Sequence, residues 1–274
     1  MVVGNMTLNS STAQIVSGRY KLLNLLGEGG MGSVYRVYDR LNRQTVALKK
    51  VFISKLNSNL DLRMILAQEF QVLASLRHPH IISVLDYGFD DQGQPYFTMD
   101  LIENSQTLLN AGRNRPLADK LRLVVQLLHA LMYLHRRRIL HRDLKPANIL
   151  VTRDQVKVLD FGMAVTKADI HLLNGDQVVG SLGYLAPEVL TGDRITEATD
   201  LYAVGILAYE LITGHHPFET TDFMKLLYAP LTSTPDFEAL EKVPLPSTPP
   251  ITPDSATLFL SDATLPQNLS LIHI

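Results

Sequence analysis

His141-Arg142-Asp143-Leu144-Lys145-Pro146-Ala147-Asn148-Ile149-Leu150 sets a carboxylate, two cations and a carboxamide in one short stretch ahead of an apolar run. Asp143 can accept a proton from an incoming hydroxyl, Lys145 can neutralise a phosphoryl group in flight, and Asn148 offers an oxygen to a hard cation such as Mg2+. Alone, the same charges are equally a solvated turn ahead of a strand. The stretch decides the fold only if the other parts of a phosphate site stand elsewhere in the chain, in order.

Upstream, Tyr20 to Leu26 reads as a strand, Gly27-Glu28-Gly29-Gly30-Met31-Gly32 follows, and Ser33 to Tyr38 reads as a second strand. Gly27, Gly29 and Gly32 fit G-x-G-x-x-G, a weak signal that a dinucleotide fold shares. That fold must open a helix at this point, whereas here β-branched and aromatic residues resume at once. A glycine-rich hairpin can instead lay backbone N–H groups over phosphates, because no Cβ intervenes. Thr45 to Phe52 is an apolar strand interrupted by Lys49 and Lys50. Leu60 to Leu76 has helical spacing, with Leu62, Ile65, Leu66, Phe70, Leu73 and Leu76 on one stripe; its only acids are Asp61, which suits a first turn, and Glu69.

Arg77-His78-Pro79-His80 ends that helix, since the residue before proline is pushed out of the helical region. His78 and His80 have no third metal ligand nearby in sequence. Strands are expected at Ile81 to Phe89 and Tyr96 to Ile102, and Asn104 to Pro116 reads as a polar linker between a β-rich and a helical half. From Leu117 to Arg137 apolar residues recur at helical spacing: Leu121, Val124, Val125, Leu128, Leu131, Met132 and Leu134. Arg136, Arg137 and Arg138 suit the C-terminal end of that helix, so this basic run needs no nucleic acid to explain it. Leu201 to Ile212 is apolar almost all round, as in a buried helix.

The ordered set Gly27/Gly29/Gly32 with Val34, Val46-Ala47-Leu48-Lys49, Glu69, His141-Arg142-Asp143 with Asn148, Asp160-Phe161-Gly162 and Ala186-Pro187-Glu188 resembles the eukaryotic-type protein kinases, over roughly residues 19 to 218. The resemblance implies an α+β, bilobal fold: a small β-rich N-lobe and hinge at 19–104, and a larger helical C-lobe at 105–220. It implies ATP and Mg2+, with the glycines over the phosphates, Lys49 on the α- and β-phosphates, Glu69 holding Lys49, Asp143 as base, Lys145 on the transferred group, and Asn148 and Asp160 on metal. The adenine slot would be lined by Leu26, Val34, Ala47 and Leu150, with Met99 at its back and the backbone from Asp100 to Ile102 on the purine edge. Asp200 would hold the catalytic loop's backbone. Lys145 and Ser181 look like the serine/threonine branch, so the substrates would be protein hydroxyls. Arg142 looks like the kinases switched by a loop phosphate, with Thr166 as the acceptor. The short glycine loop and Gly214-His215-His216-Pro217-Phe218 look more like bacterial members.

Composition agrees with that class. In 274 residues, 46% hydrophobic and 19% charged, a net charge of -2 points to neither nucleic acid nor membrane as a bulk partner. The absence of cysteine suits a reducing, cytoplasmic setting. Residues 1–18 read as a disordered leader without signal-peptide character, and no segment reads as a membrane span. The resemblance fails beyond Phe218. No arginine follows Arg194, which leaves Glu188 without the arginine that pairs with it in the family, and 221–274 reads as an incomplete or disordered tail, Pro/Ser/Thr-rich from about Thr232 to Pro253. Leu269-Ser270-Leu271-Ile272-His273-Ile274 equals one translated frame of a transposase adaptor used in sequencing, so a truncated product is expected. A nucleotide-binding pseudokinase and an inactive fragment are the competing readings.

Overall fold

The structure, a computed structural model, describes residues 14–29, 32–51, 70–160, 183–218 and 223–244. Its N-terminal part is a six-stranded antiparallel sheet in the order β1-β2-β3-β4-β6-β5. The strands are β1 (Ile15–Val16), β2 (Tyr20–Gly29), β3 (Gly32–Asp39), β4 (Gln44–Val51), β5 (Val84–Phe89) and β6 (Pro95–Met99). Strands β2 to β6 form where sequence alternation predicts them, because one face packs inward: Tyr20, Leu22, Val37, Val46, Leu48 and Tyr96 make one cluster. The leader expected to be disordered through residue 18 is ordered from residue 14. Ile15 and Val16 pair with Lys21 and Tyr20, and Ser17 Oγ donates to Phe89 O at 2.9 Å.

Arg19 staples this sheet. Its Nε and Nη2 donate to Asp39 at 2.8 and 2.7 Å, and its Nη1 donates to Asp86 at 2.5 Å. Asp39 also accepts from the backbone N–H groups of Leu41 and Asn42 and from Asn42 Nδ2, fixing the β3–β4 turn. With the Arg19 guanidinium as the main cause, its carboxyl is held down at about 2.

A smaller sheet of β7 (Gln106–Thr107), β8 (Ile149–Thr152) and β9 (Gln155–Val158) lies in the helical part. Arg153 and Asp154, both at positive φ, make the two-residue turn between β8 and β9. The region 104–116, expected as linker, contains β7 and helix α1 (Leu108–Gly112). Leu108 is fully buried, and a Cβ on Gly112 would lie 2.2 Å from Leu211 Cδ1, so close packing rather than polarity governs this segment.

Helix α2 (Leu117–His135) has about the expected extent, and only part of the expected apolar set, Leu131 and Leu134, is fully buried. Its core side is Leu123, Leu127, Ala130, Leu131 and Leu134, while Leu121, Val125, Leu128 and Met132 are exposed at 42, 48, 37 and 46%. The helix carries apolar side chains on both sides, and spacing alone does not choose between them.

Helix α3 (Pro187–Thr191) precedes α4 (Glu197–Thr213). In α4, Thr196 and Thr199 form a reciprocal capping box and Gly214, at φ 84°, closes the C-terminus. The helix is not buried all round, because Leu201 is 49% exposed beside an open groove of about 420 Å3 shared with α2. Glu188 has no arginine against it among the described residues, as expected, and the neutral Thr199 hydroxyl donates to it. Part of the expected disordered tail is also structured, as α5 (Phe223–Thr232) and α6 (Glu238–Glu241). The Tyr209 hydroxyl donates to Asp236 O at 2.6 Å, which fastens that stretch to α4.

Candidate active site

Asp200, 2% exposed in the first turn of α4, is the hub from which the site is built. Its Oδ2 accepts from His141 N at 2.8 Å and from His135 Nε2 at 2.7 Å, and its Oδ1 accepts from Arg142 N at 2.8 Å. These bonds fix a loop that local preference would not choose, since Arg142 stands at φ 68°. His141 is buried and neutral, burial pushing its pKa down. Its Nε2–H donates to Leu159 O at 2.9 Å and its Nδ1 accepts from Asp143 N at 3.3 Å. One imidazole thus ties the Asp143 loop to the residue before Asp160.

Asp143 Oδ2 receives Lys145 Nζ at 2.8 Å and Asn148 Nδ2 at 3.0 Å. Asn148 Nδ2 also donates to Asp143 O at 2.8 Å, so the amide is oriented and its Oδ1 is turned away as an acceptor. A 3-10 turn, Pro146–Asn148, carries the chain from this loop into β8. Lys49 Nζ lies 2.7 Å from Asp160 Oδ2, with the Lys49 side chain only 9% exposed. Asp160 is at φ 56°, a second left-handed non-glycine residue in the site.

The glycines divide in role. A Cβ on Gly27 or Gly29 would meet nothing within 4 Å, so their backbone is open to approach. Gly32, at φ 151°, is required by its neighbour instead: a Cβ there would collide with Lys50 O. Val34 sits opposite Gly27 and Lys49, and Ala47 opposite Met99, in consecutive strand pairings. Ala47 and Met99 are buried, Leu26 is 38% exposed, and Leu150 lies in β8 opposite Thr107. Asp100 N donates to Ser83 O at 3.1 Å, which ties the end of β6 to the residue before β5. Glu69, Thr166 and Ser181 lie outside the described residues. The reading from sequence did not find the roles of His135 and His141. His135 carries no motif, being one more residue on a helix whose neighbour in space is 65 positions away.

The model of the protein kinase domain matches residues 20–262. The chain belongs to the protein kinase family. This kinase is 35% identical over 254 residues to a probable serine/threonine-protein kinase of Streptomyces coelicolor, covering 89% of this chain and 37% of the relative. It is 36% identical over 207 residues to the serine/threonine-protein kinase PrkC of Bacillus subtilis, covering 74% of this chain and 32% of the relative. The kinase chain therefore spans about a third of the length of these curated relatives. Among solved structures it is similar to the PknI kinase domain of Mycobacterium tuberculosis, with a TM-score of 0.60 and 28% identity, covering 77% of this chain and 80% of that one. The bilobal α+β fold expected from the motifs is the fold of this kinase. No helix among its described residues is long and apolar enough to cross a membrane.

Proposed function

We propose that the chain transfers the γ-phosphate of ATP to serine and threonine hydroxyls of protein substrates, in a signalling role at a cytoplasmic site. The observation that carries this reading is the shared arrangement at Asp143: Lys145 and Asn148 both hold its Oδ2, which leaves Oδ1 to take the substrate's hydroxyl proton. Lys145 then stands beside the point where charge moves between oxygens. The buried Lys49 ammonium is the group to meet the α- and β-phosphates, with Glu69 as its further partner. Leu26, Val34, Ala47, Met99 and Leu150 frame the adenine, and Asp100 to Ile102 supply its backbone contacts.

Asn148 Oδ1 and the Asp160 carboxylate are hard oxygen donors, and such a pair fits Mg2+. When bound, the ion supplies neutralisation of phosphate charge. The protein's own contribution is position: Asp200, His141 and His135 hold the loop so that little reorganisation is needed at transfer. The names of the curated relatives support serine and threonine as acceptors. Arg142, whose side chain is exposed, is the proposed receiver of a phosphate on Thr166, with Ser181 on the substrate side.

The test is radiolabelled phosphate transfer to a generic protein, wild type against Asp143→Ala. Loss of the base is expected to lower the rate on the order of a hundred- to ten-thousand-fold. Equal labelling by both forms would remove the reading. Thr166→Ala tests the switch: unchanged activity would leave Arg142 without the proposed phosphate.

A further inference from the structure

The loop after the helical residues 70–75 carries Arg77, His78 and His80 and is fastened to two elements. The Arg77 N–H donates to the Tyr133 hydroxyl of α2 at 2.9 Å. On β9, Val158 N donates to His80 O at 2.9 Å, and His80 Nδ1 lies 3.2 Å from Val156 O. Ile82 N donates back to Val158 O at 2.9 Å, and Ile81 makes a parallel bridge with Val158. Within the loop, the His80 N–H donates to His78 Nδ1 at 3.2 Å, and the His78 ring stands against those of Tyr133 and His80, with centroids 4.9 and 5.5 Å apart. Val158 is followed directly by Leu159 and Asp160.

This geometry requires an uncharged His78, whereas the His80 bond to Val156 O survives with its ring in either charge state. His78 accepts at Nδ1, so its proton is on Nε2; His80 donates from Nδ1 to a carbonyl. A second proton on His78 must occupy the accepting atom, turning a hydrogen bond into donor against donor. The surrounding groups discourage that proton. His129 and Arg137 come from α2 and the residues after it, Lys157 from β9, and His80 from the loop itself. Burial is the main cause that holds both imidazoles below their ordinary value of 6.5; His80, His129, Lys157 and Arg137 add to it at His78, and His129 and Lys157 at His80, where the bond to Val156 O acts the other way.

We propose that this loop is an acid-sensitive latch on β9: neutral His78, accepting the His80 N–H, keeps it closed, and protonation of His78 releases the strand that leads to Asp160. A histidine whose pKa is depressed by folding adds stability above its unfolded value and loses it as pH falls toward the folded one. The latch therefore holds at pH 7 and opens on acidification below about 6.5. Only its effect on catalysis rests on the phosphotransfer reading.

The experiment is amide hydrogen exchange of Val158 and Ile82 in the full chain, corrected for intrinsic rate, together with the NMR titration of the His78 ring. His78→Asn keeps a carbonyl oxygen for the His80 N–H but cannot gain a proton; His80→Gln keeps a donor for Val156 O. In wild type, protection of Val158 is expected to fall about tenfold or more between pH 7.5 and 5.5, and in His78→Asn by less than about threefold. Equal loss in wild type and both variants, constant protection in wild type, or a His78 ring that titrates at or above its ordinary value would each overturn the latch. Mg-ATP phosphotransfer measured on the same samples separates the two claims. An exchange change with no transfer at any pH supports the latch and removes the phosphotransfer reading.

Discussion

Asp39 and Asp200 are each only 2% exposed, yet they are satisfied in opposite ways and serve opposite ends. Asp39 faces a permanent cation, Arg19, and a turn of its own making. Asp200 faces two backbone amides of a distant loop and an imidazole. A carboxylate paired with guanidinium stabilises a sheet without dictating the geometry of any loop beyond its own turn. One that captures backbone N–H groups imposes a conformation, here the left-handed Arg142, on chain far away in sequence. The first is a staple and the second a template.

Asp200→Ala should have the largest effect. It leaves two backbone donors and His135 without their acceptor, at a cost of about 3–5 kcal/mol in chemical denaturation. Phosphotransfer should fall further than stability explains, because the loop carrying Asp143 loses its template. Retained activity at a temperature where the variant is folded would collapse the distinction between the two carboxylates.

Asp39→Ala comes next, with an expected loss of about 2 kcal/mol and no change in the rate per folded molecule. The acid limb of the stability curve sharpens this. With its carboxyl held at about 2, Asp39 adds stability above the ordinary carboxylate value of 3.8, and that stability is lost as pH falls toward 2. Wild type should lose melting temperature over that window more steeply than Asp39→Asn. Curves of equal slope would show that Arg19 contributes little through charge.

The smallest effect belongs to Thr199→Val, which removes both the hydroxyl that reaches Glu188 and one half of the α4 cap. About 1 kcal/mol is expected by thermal melting. A loss several times larger would make Thr199, rather than Asp200, the point on which this end of α4 depends.

Sequence made the strands and the candidate-site grouping legible for different reasons. Strands β2 to β6 follow from alternation, a local property of each segment. The grouping followed from ordered motifs, and the structure then put Lys49 against Asp160 and Asn148 and Lys145 against Asp143. Asp39 and Arg19 left no such trace, since 20 residues separate them and a charged pair at that distance has no pattern to recognise. His135 was hidden for the same reason. In α2 the failure was one of ambiguity, because two apolar faces give the same spacing and only the packing of β9 and α4 selects between them. The 104–116 segment was misread because its polar composition hides one core position, the fully buried Leu108.

That two-faced helix has a consequence for how the chain behaves in solution. Leu121, Val125, Leu128 and Met132 remain half in water, and covering them would release roughly 3–5 kcal/mol of hydrophobic free energy. Such a surface favours self-association: the monomer–aggregate balance should tighten on warming from the cold and relax in mild detergent, independently of anything that happens around Asp143.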